Sequence, residues 1–222
     1  MILDIGSKKA IMLNPKTGTM TISKIFAKYS NLRVVHEHTK LSTLQDKVLG
    51  DYANYKVYSF YRNPIDRFIS GFNYSKSGRI ASVTNYMALL YRDKKVPLFT
   101  NLHTKTIDEL RESIQDLTIS EFLSPKDHRI QDCMMQMDSS FLFEKQISFC
   151  NHPNITLLDF DNYEDNVRLL LNEFELDSTI EIPHLNIVDK DEHSLLTSAD
   201  IDKIKQLYKD DYEFFKSVNI TF

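Results

Sequence analysis

The chain has 222 residues, of which 42% are hydrophobic and 26% charged, so it can bury a core and is not disordered. Its formal net charge of −4 argues against a general nucleic-acid binder, which would be basic. The cysteines, Cys133 and Cys150, show no metal-site or redox spacing and indicate buried thiols in a reducing compartment. We expect no signal peptide, no membrane span and a cytoplasmic location, although a chain trimmed of a membrane anchor would look the same.

Apolar periodicity predicts strands that alternate with helices along the chain. Strands are predicted at residues 8–14, 32–38, 55–61 and 154–160. Helices are predicted at residues 20–29, 41–49, 83–91, 107–116, 119–123, 163–174 and 198–216, and one further helix begins at Pro64 after the cap Asn63. This order predicts an α/β domain with a central, mainly parallel sheet flanked by helices. We expect one domain over residues 1–222, with residues 75–131 as a mostly helical insertion.

The segment after the first strand has the features of an anion-binding turn. A strand that passes through a glycine-containing loop into a helix points several backbone N–H groups at one spot, beside the positive end of the helix dipole. Lys16 precedes Gly18, the only glycine of this loop, whereas the lysine of a Walker loop follows its glycines. The loop is therefore interpreted as a phosphate-binding turn with its cation on the strand side. An ordinary strand-to-helix turn is an equally supported alternative.

A second cation follows the third predicted strand. Arg62 ends this strand, and Ser70 lies eight positions later in the helix that Pro64 opens. Ligands of open α/β sheets bind at the carboxyl ends of the strands, where Arg can bond two oxygens of a phosphate or sulfate. The alternative is an ion pair of Arg62 with Asp66 and a solvent-facing Ser70. Two anion clamps on neighbouring strand ends favour a ligand with phosphates at two separated positions.

Both motifs resemble those of sulfotransferases that use 3′-phosphoadenosine 5′-phosphosulfate (PAPS). Residues 15–21 (Pro-Lys-Thr-Gly-Thr-Met-Thr) resemble the 5′-phosphosulfate loop, and residues 61–72 resemble the 3′-phosphate motif. The resemblance is closest to Golgi-type carbohydrate sulfotransferases, including the uronyl 2-O-sulfotransferases. It places donor contacts at Lys16, Thr17, Gly18, Thr19, Met20, Thr21, Arg62 and Ser70. Met20 stands where the family usually has Thr or Ser, so one hydroxyl contact is absent.

The resemblance implies a P-loop-like, three-layer domain that transfers a sulfuryl group from PAPS to an acceptor hydroxyl, with 3′,5′-ADP as product and no metal. The expected acceptor is a saccharide. Lys16 is then the cation at the bridging oxygen of the leaving phosphate. Residues 128–131 and 183–186 also resemble family segments, and His128 and Arg129 are expected to contact the acceptor in a pocket that the insertion shapes. The sequence indicates no oligomeric state.

The sequence His36-Glu37-His38 is the candidate source of the general base. Alternate residues of a strand share a face, so both histidines point the same way. The 2-O-sulfotransferases have a similar His-x-His, which implies His38 as the base and His36 as its support. Half of a metal site, two packed histidines, Glu37 as the base and His128 as the base remain alternatives.

Two other functions are compatible with an anion-binding α/β domain. One is a kinase-like phosphotransferase, against which the chain offers no Walker lysine and no evident magnesium carboxylate after a strand. The other is a catalytically silent nucleotide- or glycan-binding module, against which both Lys16 and His38 count. Sulfuryl transfer is therefore the leading prediction.

Overall fold

The structure, a computed structural model, describes residues 1–34, 38–47, 52–76, 117–124, 142–183 and 196–222. The chain forms two compact units. The first contains Met1–Arg67, Lys145–Ile187 and Tyr208–Phe222, and the second contains Phe68–Glu144 and Val188–Leu207.

The first unit contains a five-stranded mixed sheet in the order β3-β1-β2-β4-β5. The strands are β1 (Ile2–Asp4), β2 (Lys9–Met12), β3 (Arg33–Val34), β4 (Lys56–Tyr61) and β5 (Ile155–Asp159). β4 is parallel to both β2 and β5, whereas β1 is antiparallel to β2 and β3. The sequence prediction of a mainly parallel sheet missed β1, a three-residue strand too short to show a period. The parallel part is the one that carries the candidate site.

The helices agree with the sequence prediction at most positions where the structure describes the chain. They are α1 (Thr19–Phe26), α2 (Leu41–Lys47), α3 (Pro64–Lys76), α4 (Ile119–Leu123), α5 (Ile147–Cys150), α6 (Tyr163–Glu173), α7 (Ser198–Leu207) and α8 (Lys209–Ser217). The Asn63 side chain accepts the Ile65 N–H at the start of α3, as expected of a cap. The single helix predicted at residues 198–216 is wrong, because the backbone of Tyr208 leaves the helical region at φ −105° and ψ 25°. The helices predicted at 83–91 and 107–116 lie outside the described residues.

Strand side chains alternate between two buried clusters, so both faces of the sheet are covered. One cluster joins Ile11, Tyr58 and Phe60 to apolar residues of α1 and α6. The other joins Ala10, Met12 and Val57 to residues of α2 and α5. Helices cover both faces of the parallel strands and leave their carboxyl ends as the edge where the following loops begin.

The second unit has its own aromatic core. Phe68 of α3 packs against Phe72, Phe122 and Phe143, and Phe122 of α4 also packs against Phe72 and Phe143, with ring centroids 5.5–6.5 Å apart. In either unit, none of the helices within the described ranges is long and apolar enough to span a lipid bilayer.

Candidate active site

The loop between β2 and α1 has a left-handed backbone at two positions. Lys16 has φ 65° and Gly18, the N-cap of α1, has φ 73°. The Tyr163 hydroxyl donates to the Gly18 carbonyl at 2.7 Å, and the Tyr163 ring covers the face of Gly18 on which any other residue would carry Cβ. Two independent reasons therefore require glycine at position 18: the positive φ of the backbone and the close approach of the Tyr163 ring.

Side chains hold the carbonyl oxygens of this loop. Arg67, fully buried, donates its Nε–H to the Pro15 carbonyl at 2.9 Å, and Arg62 reaches the Lys16 carbonyl at 3.4 Å. Tyr163 holds the Gly18 carbonyl in the same way. In a trans peptide the N–H is antiparallel to the C=O, and the described peptides include no cis bond. The N–H groups that follow these carbonyls therefore point away from the holding side chains, as an anion-binding turn requires.

Arg62 lies at the end of the neighbouring parallel strand, one residue after Tyr61. Its guanidinium carbon lies 4.7 Å from the centroid of the Phe160 ring, and its Nε is buried without a hydrogen-bond partner. Burial lowers the pKa of Arg62, while the charges of Asp66 and Asp161 act in the opposite direction. Since the ordinary pKa of arginine is far above neutrality, the group stays cationic and has hydrogen-bonding capacity left for an anion.

Gln146 connects the two strand ends and was not found by sequence reasoning. Its Oε1 accepts from Asn14 Nδ2 at 3.0 Å and from the Arg62 N–H at 3.1 Å. Its Nε2 donates to the Arg62 carbonyl at 2.8 Å. Asn14 and Arg62 are 132 and 84 residues away in sequence, so no local pattern marks Gln146 as their partner.

His38 lies beside the same strand end. Its Nδ1 is 3.0 Å from the carbonyl oxygen of Leu13, the residue that follows β2. A carbonyl can only accept, so Nδ1 carries the proton and Nε2 is the basic nitrogen of the neutral ring. The backbone of His38 is left-handed, with φ 59°, so His38 is not part of a regular strand, contrary to the strand predicted at residues 32–38. The structure thus brings His38 to the end of β2, which leads into the Lys16 loop.

The remaining predicted donor contacts fall into several environments. Thr17 and Thr19 are buried, and Thr17 donates to the Asn14 carbonyl at 2.7 Å. Thr21 is buried and donates to the Pro183 carbonyl at 2.9 Å, whereas Met20 is exposed. Ser70 lies on α3 within the second unit and is 7% exposed, so the alternative of a solvent-facing Ser70 is wrong.

Four other predicted residues, His36, Glu37, His128 and Arg129, lie outside the described residues. Within the described ranges, no group of three or more His, Cys, Asp or Glu side chains is placed to hold a metal ion. Cys150, one of the two cysteines predicted to be buried thiols, is a free thiol fully buried in the first unit, and burial raises its pKa to about 12.

Together these residues define an α/β domain with a cationic turn and a second cation at adjacent carboxyl ends of parallel strands. Residues 14–216 match the model of the Sulfotransferase family. The match covers nearly the whole chain and includes both strand ends, so the chain belongs to the sulfotransferase family and is a transferase of that type. A search of curated proteins and a search of solved structures found no match.

Proposed function

We propose that the protein transfers the sulfuryl group of PAPS to a hydroxyl of an acceptor, with a saccharide as the expected acceptor class. The supporting observation is the pairing of the Lys16–Gly18 loop with Arg62 on adjacent parallel strands, where Arg62 reaches the Lys16 carbonyl. This arrangement suits a donor that carries phosphate groups at two positions. Family membership supports sulfuryl transfer in general, and the donor and acceptor are our proposal.

In this proposal the loop binds the 5′-phosphosulfate. The N–H groups of Thr17 and Thr19 face the anion, because Arg62 and Tyr163 hold the carbonyls of the same peptides. Lys16 supplies a positive charge at the bridging oxygen, where negative charge develops as the S–O bond breaks. Arg62 binds the 3′-phosphate.

The acceptor proton goes to His38 Nε2. As the acceptor oxygen attacks, a new O–S bond forms, the bond from sulfur to the 5′-phosphate oxygen breaks, and 3′,5′-ADP leaves with the electron pair. The Leu13 carbonyl keeps the proton of the neutral ring on Nδ1, so that Nε2 can accept one. His36 is proposed as its support, and His128 and Arg129 as acceptor contacts. We also propose that residues 1–222 form one P-loop-like, three-layer domain.

A ligand-dependent melting experiment tests the donor. We expect 3′,5′-ADP to raise the melting temperature without added metal, and to do so more than 5′-AMP because of its second phosphate. At a ligand concentration of about 100 Kd the stabilisation is about 2.7 kcal/mol. Stabilisation by ATP only with magnesium would instead favour a phosphotransferase, and no response to any nucleotide would overturn the proposal.

Turnover is tested separately, by mass-spectrometric detection of sulfated product over a panel of sugars, lipids and phenols with PAPS. A sulfated sugar is the expected product. Binding of 3′,5′-ADP without product across the panel would favour a silent module over an enzyme.

A further inference from the structure

Gln146 has the environment of a positioning residue rather than of an ordinary core residue. It is fully buried and uses its amide for three hydrogen bonds, one to Asn14 and two to the backbone of Arg62. Asn14 begins the cationic loop and also donates to the Phe60 carbonyl of β4 at 2.9 Å. One amide therefore holds the ends of two parallel strands at a set separation.

The side chain of Arg62 has few attachments of its own. Its one described hydrogen bond, to the Lys16 carbonyl, is long at 3.4 Å, and its Nε has no partner. Its backbone, by contrast, is bonded at both N–H and C=O by Gln146. Gln146 therefore fixes the backbone of Arg62, and with it the position of the Cα from which the guanidinium side chain extends.

Asp211 of α8 holds Gln146 in turn. Its carboxylate accepts the N–H groups of Gln146 and Ile147, both at 2.9 Å. Burial raises the pKa of Asp211, against which these two N–H groups and the charges of Arg67 and Lys145 act. Arg67 also holds the Pro15 carbonyl, so the network reaches the cationic loop by a second route.

We propose that Gln146, anchored by Asp211, is a positioning residue that sets Arg62 relative to the Asn14–Gly18 loop and so matches the two anion clamps to one donor. This inference rests on the proposed function, because that function supplies the ligand, PAPS, whose two phosphate groups the distance between the clamps must fit. Gln146 itself touches neither the donor nor the acceptor.

The test uses three variants of the full chain. Gln146→Met keeps the length of the side chain and removes all three hydrogen bonds. Gln146→Glu keeps the accepting oxygen that faces Asn14 and the Arg62 N–H, but loses the donor to the Arg62 carbonyl. Gln206→Met makes the first change at an exposed glutamine of α7 and is the matched control.

Two quantities are measured for each variant. The first is the ratio of the affinities for 3′,5′-ADP and 5′-AMP, which reports the 3′-phosphate contact of Arg62. The second is the hydrogen-exchange rate of the Arg62 amide without ligand, which reports its bond to Gln146. We expect Gln146→Met to lower the ratio at least tenfold and to speed exchange, Gln146→Glu to lie between it and the wild type, and Gln206→Met to change neither.

An unchanged affinity ratio in Gln146→Met, whether both affinities fall equally or neither falls, would show that Gln146 contributes to stability alone. That result would overturn the inference. If Gln146→Met does not fold, Gln146→Glu decides by the same two measurements. A wild-type protein with no preference for 3′,5′-ADP would overturn the proposed function instead. Exchange at Arg62 would then decide whether Gln146 positions that residue.

Discussion

Lys16 and His38, the two residues proposed to act on the transferred group, both have a left-handed backbone, with φ 65° and 59°. For residues other than glycine this conformation costs about 1–2 kcal/mol and persists only where surrounding contacts hold it. Among the described residues other than glycine, the same backbone conformation occurs at Lys8, Glu175 and Asn219. Lys8 lies just before a strand, and Glu175 and Asn219 lie just after the ends of helices. Lys16 instead lies in the turn that follows β2, and His38 lies beside it, with its Nδ1 3.0 Å from the Leu13 carbonyl oxygen.

Replacing His38 by Asn separates its two roles. Asn tolerates a left-handed backbone and has an amide N–H to offer the Leu13 carbonyl, but it has no basic nitrogen. We expect kcat to fall by roughly 10²–10⁴-fold while the affinity for 3′,5′-ADP stays within about twofold. A variant with near-wild-type kcat would exclude His38 as the base.

Replacing Lys16 by Met removes the cation at the leaving oxygen and leaves the loop backbone intact. We expect kcat for sulfuryl transfer to fall by roughly 10²–10³-fold, the usual effect of losing one preorganised donor at developing charge. Lys24→Met, an exposed position on α1, is the control and should leave kcat unchanged. Single-turnover rates with PAPS would measure both, and an active Lys16→Met would contradict the leaving-group role.

The local motifs identify some site residues and leave out others for a physical reason. Lys16, Gly18 and Arg62 lie at turns that follow strands, and such turns have recognisable local chemistry. Gln146 and Tyr163 carry no local signal, because they meet the site from positions 132 and 145 residues away from their partners Asn14 and Gly18. Only the folded chain shows that the loop carbonyls are held by side chains.

At the scale of single elements, the junction of the loop with α1 is constrained both by a left-handed backbone at Gly18 and by the neighbouring Tyr163 ring. Gly18→Ala combines a strained φ with a Cβ that would meet the Tyr163 hydroxyl oxygen at 2.6 Å. We expect a loss of at least about 2 kcal/mol, or roughly 4–8 °C in melting temperature for a chain of this size. Binding of 3′,5′-ADP should weaken as well.

The control for this prediction is Gly6→Ala, whose Cβ would make only an ordinary contact with Asp4 at 3.6 Å. Adding Tyr163→Leu to Gly18→Ala should recover the part of the loss that comes from the ring contact. A Gly18→Ala protein as stable as Gly6→Ala would show that the loop can move away from Tyr163.

The start of α7 supplies a pH-dependent prediction for the second unit. The Asp200 carboxylate accepts from the Ser120 hydroxyl at 2.5 Å and from the Thr197 hydroxyl at 2.7 Å. These bonds, that of Ser120 first, lower the pKa of Asp200 below its ordinary value of 3.8. The stabilisation is therefore present above pH ~4 and is lost as the pH falls through the lowered pKa.

We expect the free energy of unfolding of Asp200→Ala to be about 1–2 kcal/mol lower than that of the wild type at pH 7. This gap between the two proteins should close towards pH 3. Urea titrations at pH 7, 5 and 3 would measure it. Asp202→Ala, on the exposed side of the same helix, should show no such gap at any pH. A gap independent of pH would mean that the carboxylate charge is not what Ser120 and Thr197 stabilise.

Two elements show where pattern reading fails. β1 has three residues, fewer than two full strand periods, so it could not be distinguished from a disordered start. The break at Tyr208 lies inside a continuous helical pattern, because Tyr208 is itself fully buried and fits the apolar series on both sides. Among the longer elements, β4 and α6 were predicted to within one residue at each end, and α3 begins at the predicted residue Pro64.

For the whole molecule, the sequence predicts the α/β class and the family, but not the two compact units, whose boundary crosses α3 and falls again between α7 and α8. Such boundaries depend on which distant segments pack together, and α3 is one unbroken helix with no local sign of a division. The donor that we propose is multiply negative, whereas the chain itself has a net charge of −4. The proposed function therefore requires that binding depends on local cations rather than on the overall charge.

A salt series separates local from long-range attraction. Glu175 and Asp177 are exposed and follow the end of α6, where Glu173 bonds Lys9 and Lys56 at the opposite ends of β2 and β4 from the site. A six-residue strand spans about 20 Å. Glu175→Gln with Asp177→Asn raises the net charge from −4 to −2. The screening length is about 8 Å at 0.15 M salt and 30 Å at 0.01 M. We therefore expect the double variant to bind 3′,5′-ADP less than about 1.5-fold more tightly than the wild type at 0.15 M salt, and about threefold more tightly at 0.01 M.

Arg62→Gln changes the net charge by only one. It should nevertheless weaken binding of 3′,5′-ADP at least tenfold at both salt concentrations, because a charge-assisted hydrogen bond is worth about 1.5–3 kcal/mol. Titration calorimetry of the three proteins would measure this, and an Arg62→Gln effect that vanished at 0.15 M salt would place the attraction in the overall field of the protein instead of in direct contacts.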